Sequence, residues 1–263
     1  MDGTLLNSKD IITKKTQNAI NAIVKKGIVF TISTGRPIQG VMSYNNILKL
    51  DAPFITYNGA MIIQSRTKEV LFKQDLNFMD AQKIFEFGQK LKTTVIVWSN
   101  NQLYVNKMNE RTQRYQQLSM VKPIVIKDFD SLAHGGVTKI IWYDDIEKIQ
   151  KFESIVAKEN IDGVNFCTSK PIFLEFFNKH VSKAVALKKI GDLLRIRKEE
   201  TIAIGDGFND LSMLEYAGLS VSMGNAPQII KEKCHYVTQS NDNDGVATFL
   251  EKLGCYDGKQ FTG

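Results

Sequence analysis

The sequence predicts an α/β protein: a doubly wound parallel-sheet core interrupted by an inserted α+β domain. Three observations carry this. Both ends of the chain alternate short apolar runs with amphipathic helical stretches, the pattern of parallel strands joined by crossover helices. The middle, residues 78–178, departs from it, with hairpins and helices in mixed order. The most acidic and glycine-rich turns also follow apolar runs, where a parallel sheet opens its ligand crevice. A chain of 263 residues has room for a main domain and a smaller one. The expected division is 1–77 with 179–263 for the core and 78–178 for the insertion.

In chain order, Thr13 is a candidate N-cap for a helix that places Thr16, Ile20, Ile23 and Val24 on one face and stops at Gly27. Residues 28–33 read as a buried strand, followed by the turn Thr34-Gly35-Arg36-Pro37 and a helix to about Leu48, with Pro37 in its first turn. A strand at 53–57, the turn pair Asn58-Gly59, a hairpin partner at 60–64 and a short strand at 70–73 come next. The insertion reads as helix 78–91, strands 94–99 and 102–106, helix 109–120, strand 137–143, helix 146–158 and two further strands. Alternation then resumes with helix 183–194, strand 201–204, helix 210–217, strand 219–222, a helix from Ala226, strand 236–238 and helix 245–253. Residues 255–263 read as a frayed tail.

Composition narrows the function classes. Hydrophobic residues at 43% and charged residues at 24% belong to an ordinary folded chain. The net charge of +6 comes from scattered Lys and Arg rather than a basic arm or stripe, so a nucleic-acid partner is not expected. Cys167, Cys234 and Cys255 show no C-x-x-C spacing, which signals neither a disulfide framework nor a zinc site. No apolar run reaches the roughly 18 residues of a membrane span, and the opening residues lack a signal-peptide pattern. A cytoplasmic protein without a membrane partner is the expectation.

The most informative segment is Thr201-Ile202-Ala203-Ile204-Gly205-Asp206-Gly207-Phe208-Asn209-Asp210. Two carboxylates four residues apart, on a loop at the carboxyl end of a strand, repel each other unless a cation sits between them. Standing alone, Asp206 could equally shape a turn and Asp210 cap a helix. A dinucleotide fingerprint starts at Gly205-Asp206-Gly207 but fails at Asp210, where its third glycine belongs.

Asp2-Gly3-Thr4-Leu5, a strand ending in Thr34-Gly35-Arg36, Lys183 opening a helix, and the Gly205–Asp210 loop together resemble, in order and placement, the four motifs of the haloacid dehalogenase (HAD) superfamily. Tyr57-Asn58-Gly59-Ala60, Leu174-Glu175, Val181-Ser182-Lys183 and Val221-Ser222-Met223-Gly224-Asn225-Ala226 resemble its Cof-type, sugar-phosphatase-like branch, whose C2-type cap lies between the second and third motifs. The likeness continues through Asp244-Gly245-Val246-Ala247 and covers nearly the whole chain.

The resemblance implies a Rossmann-like core and a Mg2+-dependent phosphatase acting on small phosphomonoesters, sugar phosphates or similar metabolites, through an aspartyl-phosphate. Asp2 would serve as general acid and base and ligate Mg2+ through its backbone carbonyl. Thr34, the Gly35 amide and Lys183 would hold the phosphoryl oxygens, with Arg36 and Asn58 as further substrate contacts. Asp206 would ligate Mg2+ directly and Asp210 directly or through water, with Asn209 bracing the phosphate or the loop. Glu175 and Lys179 are candidates for substrate contact or for a structural role at the hinge.

The family's first motif is Asp-x-Asp-Gly-Thr, and Asp2 matches its second Asp. The nucleophile, and the central strand that leads to it, are therefore expected immediately before Met1. Loss of about four apolar strand residues, at roughly 1.5–3 kcal/mol each, would remove about 6–12 kcal/mol from a fold whose total stability is about 5–15 kcal/mol. Two alternatives stand beside the phosphatase: a phosphomutase on the same fold, and a phospholigand-binding protein that has lost its nucleophile.

Overall fold

Local side-chain chemistry sets the helix ends. Thr13 accepts from the Thr16 amide at 3.1 Å and caps α1 (Lys14–Lys25), which stops just before Gly27 at φ +86°. Thr16, Ile20 and Ile23 are buried as expected, whereas Val24 is exposed. Pro37 stands one place earlier than expected, at the N-cap of α2 (Ile38–Leu48). The computed structural model describes residues 1–159 and 161–255, so most of the expected tail, 256–263, lies outside the described residues.

After α2, β1 (Phe54–Thr56), β2 (Met61–Ile63) and β3 (Val70–Lys73) form an antiparallel sheet in that order. The expected Asn58-Gly59 turn is a single 3-10 turn over Tyr57–Gly59, and both Tyr57 and Asn58 adopt positive φ there, +51° and +58°.

A second sheet with its helices, for which cap serves only as a label, follows: α3 (Phe78–Lys90), β4 (Thr94–Ser99), β5 (Gln102–Val105), α4 (Glu110–Ser119), β6 (Ile124–Val125), β7 (Val137–Tyr143), α5 (Ile146–Glu159), β8 (Val164–Lys170) and β9 (Phe173–Asn178). Its strands make one six-stranded sheet in the order β6-β5-β4-β7-β9-β8. The two-residue β6, parallel to β5, was not anticipated because so short a run has no periodicity to read. Residues alternate across this sheet. Val95, Val97, Ile140, Trp142, Leu174 and Phe176 join α3 and α5 on one face. Ile96, Trp98, Ile141, Tyr143 and Phe173 join Tyr115 of α4 and, from the flap formed by β1 to β3 and their turns, Tyr57, Met61 and Ile63 on the other. That second face therefore seats the cap on the core.

The chain returns through α6 (Lys183–Leu194), β10 (Ile202–Gly205), α7 (Leu211–Tyr216), β11 (Leu219–Ser222), α8 (Gln228–Lys231), β12 (Tyr236–Val237) and α9 (Gly245–Cys255). The helix expected from Asp210 is a 3-10 turn, Phe208–Asp210, running into the shorter α7. Strands β10, β11 and β12 pair in parallel, with Ile204 beside Val221 and Val221 beside Tyr236. The molecule is thus a mixed α/β fold with a parallel core sheet.

One expected strand does not form. Among the described residues, 28–33 make only an isolated parallel bridge, Ser33 to Ile55, and Ile28 and Val29 are 40% and 45% exposed. A strand needs a ladder on at least one side, and here the bonding stops after Ile55 N–H to the Ile32 carbonyl and Thr34 N–H to the Ile55 carbonyl, both 2.9 Å. Between residues 28–33 and β10 lies an apolar groove of about 210 Å3, walled by Phe30, Ile32, Ile190, Leu194, Ile202 and Ile204.

Candidate active site

A second cleft, of about 270 Å3, opens where the carboxyl end of β10, the turn after residues 28–33 and the cap meet. Lys183 is the first residue of α6, whose N-cap Ser182 accepts from the Val185 amide. Its ammonium is buried and donates to Asp210 Oδ1 at 2.5 Å. The other oxygen, Oδ2, accepts from the Asp206 and Gly207 amides, each at 3.0 Å, so Asp210 folds the acidic loop around its own carboxylate. Burial works to raise the Asp210 pKa, but the Lys183 charge leads the opposing contributions and holds the group below the usual carboxylate range.

Asp206 shifts the other way. Burial pushes its pKa up and the negative charge of Asp210 adds to that, against a 2.5 Å hydrogen bond donated by the Thr4 hydroxyl. Gly3, at φ +65°, passes so close that a Cβ there would meet Asp206 Oδ2 at 2.2 Å, which explains the glycine after Asp2.

Thr34 is buried, and its Oγ1 accepts from the Arg36 amide at 3.1 Å. Gly35 is pressed against Asn58, whose Oδ1 would lie 2.7 Å from a Cβ at position 35. Asn58 in turn accepts from Asn209 Nδ2 at 3.1 Å, which draws the Thr34–Arg36 turn, the flap and the acidic loop to one place.

Arg36 is placed differently from the other candidates. Its guanidinium grips Asp2, with Nε to Oδ2 at 2.9 Å and Nη2 to Oδ1 at 2.5 Å, and it stacks on Tyr44 with 5.4 Å to the ring centroid. Burial would raise the Asp2 pKa, but the bond and charge of Arg36 overcome this and bring it to about 2. Asp2 is therefore held as a carboxylate in an ion pair.

Thr34, Gly35, Arg36, Asn58, Lys183, Asn209, Asp206, Asp210 and Asp2 all line this one cleft. Of the two residues read as substrate or hinge candidates, Glu175 reaches it and Lys179 does not; Lys179 pairs with the exposed Asp162 at 2.9 Å. Sequence reasoning missed Tyr115, Ser169, Lys170 and Phe173, which face the cleft from the cap, and Lys139. Only Lys139 carried a local signal, as a lysine inside a run of buried strand residues. Among the described residues, no group of three or more His, Cys, Asp or Glu side chains is gathered to hold a metal ion, and no helix is long and apolar enough to cross a membrane.

Comparison with known proteins bears on the family and the fold. The family model for haloacid dehalogenase-like hydrolases matches residues 1–250. The 5-amino-6-(5-phospho-D-ribitylamino)uracil phosphatase YcsE of Bacillus subtilis is 31% identical, over 94% of this chain and 90% of its own. A haloacid dehalogenase-like hydrolase from Bacteroides thetaiotaomicron superposes with a TM-score of 0.86 at 29% identity, covering 96% of both chains. The HAD subclass IIB sugar phosphatase BT4131 does so with a TM-score of 0.84 at 26% identity, over 97% of this chain and 96% of that one. With its acidic loop, threonine turn and buried lysine in one capped cleft, the chain belongs to the haloacid dehalogenase-like hydrolases, in their Cof-type branch, and is a phosphatase by family.

Proposed function

We propose that the protein is a Mg2+-dependent phosphatase for small phosphomonoesters, sugar phosphates or similar metabolites, acting through an aspartyl-phosphate. The observation that carries this reading is the convergence of Thr34, Lys183, Asp206, Asp210 and Asn209 on one cleft roofed by residues of 78–178, which act as the cap. Thr34 and Lys183 supply a hydroxyl and an ammonium to phosphoryl oxygens, and the buried lysine lowers the repulsion between two anions. Asn58 and Asn209 keep the two loops in register.

The donors fit Mg2+. Asp206, Asp210 and the Asp2 carbonyl are all hard oxygens, a set that Mg2+ completes with water and substrate phosphate. Burial first, and the Asp210 charge after it, raise the Asp206 pKa, and a bound cation would favour its carboxylate against both. When bound, the ion offsets phosphate charge and polarises the phosphoryl group. For Asp2 to give a proton to the leaving oxygen and later take one from water, its carboxyl must leave Arg36, because a group at about pKa 2 carries no proton near neutrality. The apolar groove between residues 28–33 and β10 supports the same reading, since an extended apolar segment seated there would bring its carboxyl end to the cleft.

The test is a chain extended upstream with an apolar strand and an Asp directly before Met1, assayed for Mg2+-dependent release of phosphate from an aryl phosphate. Turnover that disappears in Asp206→Ala is expected. A folded extended chain that releases no phosphate sinks the proposal.

A further inference from the structure

Strand alternation along β7 sends Ile140 and Trp142 into the helix-covered face of the cap sheet and turns Lys139, with Ile141 and Tyr143, toward the core. The Lys139 side chain is only 2% exposed. Its ammonium donates to Glu175 Oε2 at 3.0 Å and, across the cap–core boundary, to the Gly35 carbonyl at 2.9 Å. Glu175 sits on β9 directly opposite Ile141. Its Oε1 accepts from Ser169 Oγ at 2.6 Å, and its Oε2 also accepts from Asn58 Nδ2 at 3.1 Å. A buried pair of this kind adds little stability over an apolar pair of similar volume, so its distinctive contribution is geometric.

What it fixes is one peptide plane. The Gly35 carbonyl and the Arg36 amide belong to the same planar unit and point in opposite directions. Pinning the carbonyl aims the amide, which donates to Thr34 Oγ1 at 3.1 Å. A hydroxyl has two acceptor sites and one proton. With the amide occupying an acceptor site, the Thr34 proton is left for an acceptor in the cleft, and Thr34 Oγ1 donates to no protein group among the described residues.

We propose that Lys139 is a positioning residue: from the cap sheet it pins the 35–36 peptide so that Thr34 presents its hydroxyl proton to a substrate phosphoryl oxygen. The phosphate site is complete only while the cap sheet is seated on the core. This rests on the phosphatase reading above. It assigns to a cap residue the ordering of a core loop.

The test compares the unaltered chain with Lys139→Met/Glu175→Gln, which removes the charge pair together and leaves a carbonyl oxygen to accept from Asn58 Nδ2 and an NH2 to donate to Ser169 Oγ. Retained cooperative thermal unfolding establishes that the variant is folded. Two quantities are read: the hydrogen-exchange rate of the Arg36 amide without ligand, and the Kd for inorganic phosphate with Mg2+ present. The expected results are exchange at least tenfold faster and a Kd at least tenfold weaker. An unchanged Kd overturns the proposal, as does unchanged exchange. If the double variant does not fold, Lys139→Gln/Glu175→Gln, whose amide is one atom too short for the Gly35 carbonyl, carries the same expectations. If the unaltered chain binds no phosphate, the phosphatase reading fails, and the exchange rate alone then decides whether Lys139 holds the loop.

Discussion

In the cap, β4 is paired along its length with β7 on one side and from Ile96 to Ser99 with β5 on the other, and both faces of the sheet are covered. In the core, β10 pairs with β11 on one side and on the other faces an apolar groove, beyond which residues 28–33 hold a single bridge. The same strand-forming residue types, rich in Ile and Val, thus give a closed ladder in one region and an open edge in the other. Apolar patterning alone does not make a strand; a neighbour must accept its backbone hydrogen bonds. Where the neighbour exists, the packing is dense. Trp142 sits among Phe87, Phe152 and Phe176 with ring centroids 4.7–5.8 Å away.

The contrast can be broken by substitution. Trp142→Ala should cost about 3–5 kcal/mol in denaturant unfolding, because a closed core cannot collapse onto the cavity. A loss near zero would show that the cap is not the rigid half. Lys183→Met should cost about 3 kcal/mol, since it leaves the buried Asp210 carboxylate without its counter-charge; Asp210→Asn in the same chain should recover part of that. At the groove, Ile204→Ala should cost only about 1 kcal/mol, less than the roughly 2–5 kcal/mol of a closed site. In a chain carrying the upstream strand, the cost should climb into that range. Equal losses in both chains would mean that the groove is not a strand site.

The smallest effect concerns the pair at the mouth of the cleft. Arg36→Met should let the Asp2 carboxyl rise from about 2 toward its ordinary 3.8, read by carboxyl-carbon NMR titration. Because pairing lowers the folded-state pKa, its stabilising contribution is full above pH 3.8 and is lost as the pH falls through about 2. The Arg36→Met chain should therefore show a weaker loss of stability over that window. An unchanged Asp2 titration would dissociate the two groups.

Much of this was legible before folding, for local reasons. Thr13 and Ser182 cap their helices through their own hydroxyls, and both belong to residue types whose side chains reach the next turn's amides. The acidic loop could be placed because it follows an apolar run, whereas the need for glycine at position 3 rests on its approach to Asp206, a contact only the folded chain makes. The strand at 28–33 was misread because its burial depends on a neighbour, which its own periodicity does not report. Arg36 was legible as a cleft residue, yet its choice of Asp2 over a substrate depends on where the chain brings Asp2.

By itself, then, the sequence determined the fold class and the order of most elements, because helix caps, periodicity and turn chemistry act over a few residues; the candidate residues of the core loops came from the resemblance of its ordered motifs to a known family. The tertiary structure alone decided which groups share charge: Asp2 with Arg36, Asp210 with Lys183, and Lys139 with both Glu175 and the Gly35 carbonyl. Those pairings join residues separated by 27 to 104 positions. Electrostatic attraction and hydrogen bonding act through space over a few ångströms, and only the folded chain sets those distances.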